Sequence, residues 1–241
     1  MPSDAGTVLI TGVSRGIGEI IANFFLDRDW RVVGLSRSES SISHRNFHWH
    51  QADLSQESEV TRVVEALEGT FDCVVLNAGM LGPMGRVLEI PVQGWRDTFD
   101  LNFFGPLALI RSVFGRSSEN ACFIFLSGGG AVTPLSGVGP YAISKLALVK
   151  LAEQLSLEYP GYRFYAMAPG AVDTEIFREH HERSGGPAPR FTDSKEIHTL
   201  IAHFLDDSDG RLNGRLIHVR DDIEKLLKAQ DGGHMRRVGS P

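Results

Sequence analysis

Only two cysteines, Cys73 and Cys122, occur among 241 residues, and both sit in apolar strand-like runs. Two cysteines cannot build a disulfide framework, and these read as small core residues rather than metal ligands. No apolar run approaches the roughly 20 residues of a membrane span. Met1 to Gly6 is short and polar, unlike a secretory leader. Positive charge is scarce too: the formal net charge is −6, which leaves no broad basic footprint for nucleic acid. Neither an internal repeat nor a dividing linker is present. These absences predict one soluble domain over residues 1–230, working in a reducing cytoplasm without a nucleic-acid or membrane partner. Residues 231–241 are Gly-rich and basic and are predicted to form a disordered tail.

Alternating strand-like and helix-like segments fill the chain, which is long enough to bury the core of one large α/β domain. Strands are expected at Thr7–Ile10, Arg31–Leu35, Phe47–Gln51, Phe71–Leu76, Ala121–Leu126, Tyr162–Met167 and Arg215–Val219. Helices are expected at Gly16–Arg28, Ser55–Leu67, Trp95–Phe114, Tyr141–Glu158, Ser194–Leu205 and Ile223–Ala229. The run Phe71–Leu76 is apolar throughout, as a strand covered on both faces should be. The alternation predicts a doubly wound Rossmann fold, about seven parallel strands with helices on both faces. Ligands of such sheets bind beyond the carboxyl ends of the strands, where the strand order reverses. Arg178–Arg190 is polar and rich in breakers, and reads either as a lid over a site or as a surface loop.

Thr11-Gly12-Val13-Ser14-Arg15-Gly16-Ile17-Gly18 joins the first strand to the first helix. Glycines let that turn approach a pyrophosphate, and the helix N-terminus adds free N–H groups and a positive dipole end. No Gly-Lys-Ser/Thr follows, so it is not a Walker A loop. The end of the second strand carries Ser36-Arg37 where an acidic residue would select NAD, and Arg15 lies in the glycine loop. Two guanidinium groups near the ribose suit a 2′-phosphate and predict NADPH over NADH. Otherwise both arginines are solvated surface charges. Asp53, followed by Leu54, is placed either to accept from an adenine amino group or to cap the next helix. Asn77-Ala78-Gly79 ends the fourth strand with small residues a cofactor can pass closely.

Tyr141 and Lys145 stand four residues apart, on one helix face. A free tyrosine has a pKa near 10, too high for easy proton exchange at neutral pH. The charge of Lys145 is expected to favour the tyrosinate and so make Tyr141 a usable acid and base. Between the glycine loop and this pair the chain reads Ser127-Gly128-Gly129-Gly130. His180-His181 is not expected to hold a metal, because adjacent side chains do not converge and no partner has fitting spacing.

In these motifs the chain resembles the short-chain dehydrogenase/reductase family, in its compact single-domain branch. The matching residues are Thr11-Gly12, Gly16-Ile17-Gly18, Asp53-Leu54, Asn77-Ala78-Gly79, Asn102, Tyr141, Lys145 and Pro169-Gly170-Ala171-Val172-Asp173-Thr174. The resemblance implies a nicotinamide cofactor, hydride transfer at a small-molecule alcohol or carbonyl, and a homodimer or homotetramer built on the helices near Trp95 and Tyr141. It implies that Thr174 contacts the nicotinamide carboxamide, that Lys145 holds the ribose, and that Asn102 anchors a water relaying protons. It also places a carbonyl-polarising serine at the position of Gly128, which this chain lacks. Ser127 is one residue earlier, which on a strand turns the side chain to the other face unless the glycines let the backbone slip. Thr133 and Ser136 are the other hydroxyls in reach, and Tyr141 with a backbone N–H is a further arrangement. The leading expectation is an NADPH-dependent carbonyl reductase acting through Tyr141. The alternative is a nicotinamide-binding module with little turnover, to which Gly128 points. A sugar-nucleotide epimerase or dehydratase lacks its usual C-terminal substrate region here.

Overall fold

Seven strands form, most around apolar runs: β1 (Thr7–Thr11), β2 (Arg31–Ser36), β3 (Phe47–Gln51), β4 (Phe71–Leu76), β5 (Ser117–Leu126), β6 (Arg163–Ala168) and β7 (Leu216–His218). The computed structural model describes residues 5–185 and 189–228. The predicted tail at 231–241, the end of the last predicted helix and Gly186 to Ala188 of the predicted loop lie outside them. All seven strands pair in parallel in the order β3-β2-β1-β4-β5-β6-β7. The order reverses between β1 and β4, so their carboxyl ends open the crevice in which such sheets hold ligands.

Helices cover both faces. On one, α1 (Gly16–Leu26) and α7 (Ser194–Asp206) pack Phe24, Phe25 and Phe204 against Tyr165 and Ile10. On the other, α2 (Glu57–Ala66), α4 (Gly105–Val113) and α5 (Gly139–Glu158) pack Val60, Leu109 and Leu148 against Phe123, Phe125 and Phe164. All eleven side chains are fully buried. Each aromatic contributes on the order of 3–5 kcal/mol relative to alanine, so the sheet is a rigid platform. Cys73 and Cys122 face each other in register on β4 and β5, both as buried free thiols, and burial pushes the Cys73 thiol up.

Two expectations need correction. The predicted helix Trp95–Phe114 is instead α3 (Val92–Phe99), a π turn (Asp100–Phe104) and α4. The π turn inserts one residue and rotates Asn102 fully into the interior. Much of the predicted irregular segment is helix α6 (Glu175–Ser184). Thr174 caps it, its Oγ accepting from the Phe177 N–H at 3.3 Å, and Gly185 stops it at φ +67°. A short α8 (Ile223–Lys228) follows β7. Among the described residues, no helix is long and apolar enough to cross a membrane.

Candidate active site

A cavity of about 1130 Å³ runs along the carboxyl ends of the central strands. Its floor is backbone. Gly12 and Gly16 turn with φ of +72° and +64°, and the Gly12 N–H donates to the Leu35 carbonyl at 2.7 Å. A β-carbon on Gly18 would collide with the Gly12 carbonyl, so α1 can follow this turn only with a glycine there. No side chain caps the α1 N-terminus, which lies at this end of the cavity beside Ser14 to Ile17. A β-carbon on Gly79 would come within 3.2 Å of both Asn102 Oδ1 and Lys145 Nζ. This bare backbone at a helix N-terminus fits the pyrophosphate and nicotinamide ribose of a dinucleotide.

Several sequence-predicted residues hold the cradle together, and of these Ser36 and Asn77 also line it. The Thr11 hydroxyl donates to the Val75 carbonyl (3.3 Å) and accepts from the N–H groups of Asn77 (2.9 Å) and Ala78 (3.0 Å). Asn77 Nδ2 donates to the carbonyls of Thr11 (2.9 Å) and Gly12 (3.2 Å). These bonds lock β1 to β4 at the switch point. Ser36 is also committed: its Oγ accepts from Trp49 Nε1 (2.8 Å) and donates to the Ser38 carbonyl (2.7 Å). Arg37 lines the main cavity and a second hollow of about 780 Å³ behind it, which Asp53, His50 and Arg62 share. Its guanidinium makes no hydrogen bond or ion pair among the described residues. Arg15 instead pairs with Glu175 at the start of α6, bridging the groove. Asp53 Oδ1 accepts from the N–H and Oγ of Ser55 (3.0 and 2.8 Å), two residues ahead of Glu57, where α2 begins. Leu54, Ala78, Gly79, Pro169, Gly170, Val172 and Thr174 all face the main cavity.

At the reacting end, Tyr141 and Lys145 rise from the first turns of α5. Asn102 fastens that helix: its Oδ1 accepts from the Met80 N–H (2.8 Å), and its Nδ2 donates to the Met80 carbonyl (2.9 Å) and Ser144 Oγ (3.0 Å). Ser144 Oγ donates onward to the Tyr141 carbonyl at 2.7 Å. Lys145 Nζ donates to the Leu126 carbonyl at 2.8 Å and lies 5.9 Å from the centre of the Tyr141 ring. Burial pushes the Tyr141 phenol up to about 12 and the Lys145 ammonium down to about 8. Desolvation thus keeps the proton on the Tyr141 phenol at neutral pH.

Gly128 has a definite neighbour. A β-carbon there would collide with the Tyr141 hydroxyl, which occupies the room a serine would need. Ser127, at the end of β5, is 4 % exposed and lines the cavity. Its Oγ is buried with no partner among the described residues. Such a hydroxyl costs about 1–3 kcal/mol when left unmet. Thr133 also lines the cavity, whereas Ser136 does not. Apolar walls come from Leu81, Val132, Leu135, Val138, Ile176 and Phe177. The sequence does not point to Ile176, and it offers His180 only as part of a lid over the site at Arg178–Arg190; the cap Thr174 and the acidic first-turn Glu175 are the available signal for the helix that carries both.

Known proteins are similar to this chain in sequence and fold. Residues 6–185 match the family model described as short chain dehydrogenase. An oxidoreductase of Saccharomyces cerevisiae is 34% identical over 181 residues, covering 70% of this chain and 71% of its own. Its crystal structure superposes with a TM-score of 0.76 at 28% identity, covering 90% of this chain and 97% of that one. A benzil reductase ((S)-benzoin forming) of the same yeast is 30% identical over 221 residues, 80% of this chain and 84% of its own. A short chain dehydrogenase of Escherichia coli, solved with NADPH, shares the fold at a TM-score of 0.79 and 21% identity, covering 92% of this chain and all of that one. With a glycine cradle at the switch point and a buried tyrosine–lysine helix facing it, this chain belongs to the short-chain dehydrogenase family and is an oxidoreductase with a nicotinamide cofactor.

Proposed function

We propose that the protein is an NADPH-dependent reductase of small apolar ketones, with Tyr141 as its general acid and Ser127 as the second donor to the carbonyl oxygen. A bound nicotinamide supplies the hydride to the carbonyl carbon. Tyr141 holds the balancing proton at Oη and delivers it to the carbonyl oxygen, giving the alcohol. The unpartnered Ser127 Oγ in the cavity wall is the observation that carries this reading, because it offers a hydroxyl where Gly128 has none. A slip of the glycine backbone after Ser127 brings the hydroxyl and Tyr141 onto one oxygen. Lys145 keeps its ammonium within reach of the ribose and, below about pH 8, its charge near the phenol.

Preference for NADPH rests on Arg37, whose uncommitted guanidinium stands at the end of β2 where no acidic side chain is found. Arg15 joins it only by leaving Glu175. The yeast relative that reduces benzil makes an apolar 1,2-diketone the first substrate to try. Exposed Phe104 and Ile143, beside and on α5, support association of copies into a homodimer or homotetramer. The buried thiols suit a reducing cytoplasm. The competing reading, a cofactor-binding module without turnover, draws on Gly128.

The test is NADPH oxidation across a panel of ketones, with Tyr141→Phe alongside. The expected outcome is turnover that falls about 10³-fold in the variant while NADPH affinity is kept. Tight NADPH binding with no turnover of any carbonyl would favour the binding module.

A further inference from the structure

Two buried side-chain polar atoms lack partners among the described residues, Ser127 Oγ and His180 Nε2. Both residues line the same cavity, Ser127 just after β5 and His180 on α6. Ser127 is accounted for by the reacting carbonyl, whereas His180 has no part in that step.

The rest of the α6 wall is either apolar or committed. Glu175 pairs with Arg15, and Arg178 pairs with Asp173 at 2.7 Å. The Thr174 hydroxyl accepts from the Phe177 N–H. The Phe177 ring stacks on His181 with centroids 5.5 Å apart and meets Phe191 edge-on at 5.2 Å. His181 is thus turned to Phe177, and the two adjacent histidines do not converge. Ile176, one turn before His180, adds aliphatic surface. One ring nitrogen on this wall, Nε2 of the half-buried His180, is left without a bond among the described residues. Burying such a group is unfavourable unless something bonds to it. The helix that carries it is capped at both ends and forms the cavity's outer wall, so it presents the nitrogen as one unit.

We propose that His180 is a substrate-specificity residue: its Nε2–H donates to a second oxygen carried by the substrate. The enzyme then prefers apolar ketones bearing a neighbouring oxygen acceptor, such as 1,2-diketones, over ketones of the same shape without it. A site built to hydrogen-bond a substrate oxygen rejects the analogue that leaves its donor unpaired. The inference rests on the reductase reading for its reacting carbonyl.

The experiment compares 1-phenyl-1,2-propanedione with propiophenone, in binding to the NADP⁺-loaded protein and in kcat/KM with NADPH. Wild type is measured beside His180→Phe, which keeps a ring and removes the nitrogen, and His180→Gln, which restores a donor. The diketone-to-monoketone ratio is expected to fall about tenfold in His180→Phe and to recover at least partly in His180→Gln. A ratio that is the same in wild type and His180→Phe overturns the inference, as does wild type binding neither compound. A melting curve for each variant separates loss of the wall from loss of the bond: the ratio must move with the melting temperature of His180→Gln held near wild type. Tight NADPH binding with no turnover of either ketone by wild type would instead sink the reductase reading, whatever the binding ratio does.

Discussion

The two sides of the crevice are made differently. On the cofactor side, Gly12, Gly16, Gly18 and Gly79 leave backbone bare, and the side chains of Thr11 and Asn77 are spent on holding that backbone in place. On the substrate side, the β5–α5 and β6–α6 segments present side chains, and two of their polar atoms are unspent. A backbone cradle is rigid and recognises what all dinucleotides share. A wall of side chains on a short helix and a glycine run recognises one substrate and is changed by single replacements. Gly128 falls on the second side, against the Tyr141 hydroxyl.

The comparison breaks first on the cofactor side if a cradle glycine is replaced. Gly18→Ala drives a methyl into the Gly12 carbonyl, so NADPH binding is expected to weaken at least 100-fold, with about 1–3 kcal/mol lost in stability, read by fluorescence titration and urea melts. On the substrate side, Ser127→Ala should lower kcat about 10²-fold with NADPH affinity kept. Its counterpart, Gly128→Ser, should slow the enzyme as well, by about tenfold, because the new side chain displaces the Tyr141 hydroxyl; a large rate gain instead would mean that Ser127 is not a working donor. Arg37→Asp should shift the NADPH-to-NADH affinity ratio about tenfold toward NADH, since one charge-assisted contact is exchanged for repulsion.

A pH dependence is expected as well. Burial holds Lys145 at about 8, below its value of 10.5 in the unfolded chain. Between those limits the unfolded chain binds more protons, so the stabilising contribution appears as pH rises and is lost as pH falls through 8. Tyr141 acts oppositely, but only between about 10 and 12, where the folded state keeps the proton. Melts of wild type against Lys145→Met from pH 8 to 10 should show a rise in wild type of about 2 kcal/mol that the variant lacks.

Most of the platform was legible because its signals are local. The bounds of β3 and β4 follow directly from Phe47–Gln51 and Phe71–Leu76, and the glycine spacing located the cradle. What was hidden depends on distant partners. The π turn at Asp100–Phe104 has no signature in a helical run, since it exists so that Asn102 can meet Met80 and Ser144. Helix α6 was obscured by its polar composition, although Thr174 and Gly185 mark its ends. The commitments of Ser36 to Trp49 and of Arg15 to Glu175 join residues that no spacing rule connects. Gly128 was recognised as a departure, but its contact with the Tyr141 hydroxyl required the fold.

Single-turnover hydride transfer at pH 7 tests the central claim most directly, with NADPH prebound and 1-phenyl-1,2-propanedione added to wild type, Tyr141→Phe and Ser127→Ala. Transfer slowed about 10³-fold in the first variant and 10²-fold in the second, with NADPH affinity kept in both, is the predicted result. Transfer at the wild-type rate in Tyr141→Phe would contradict it.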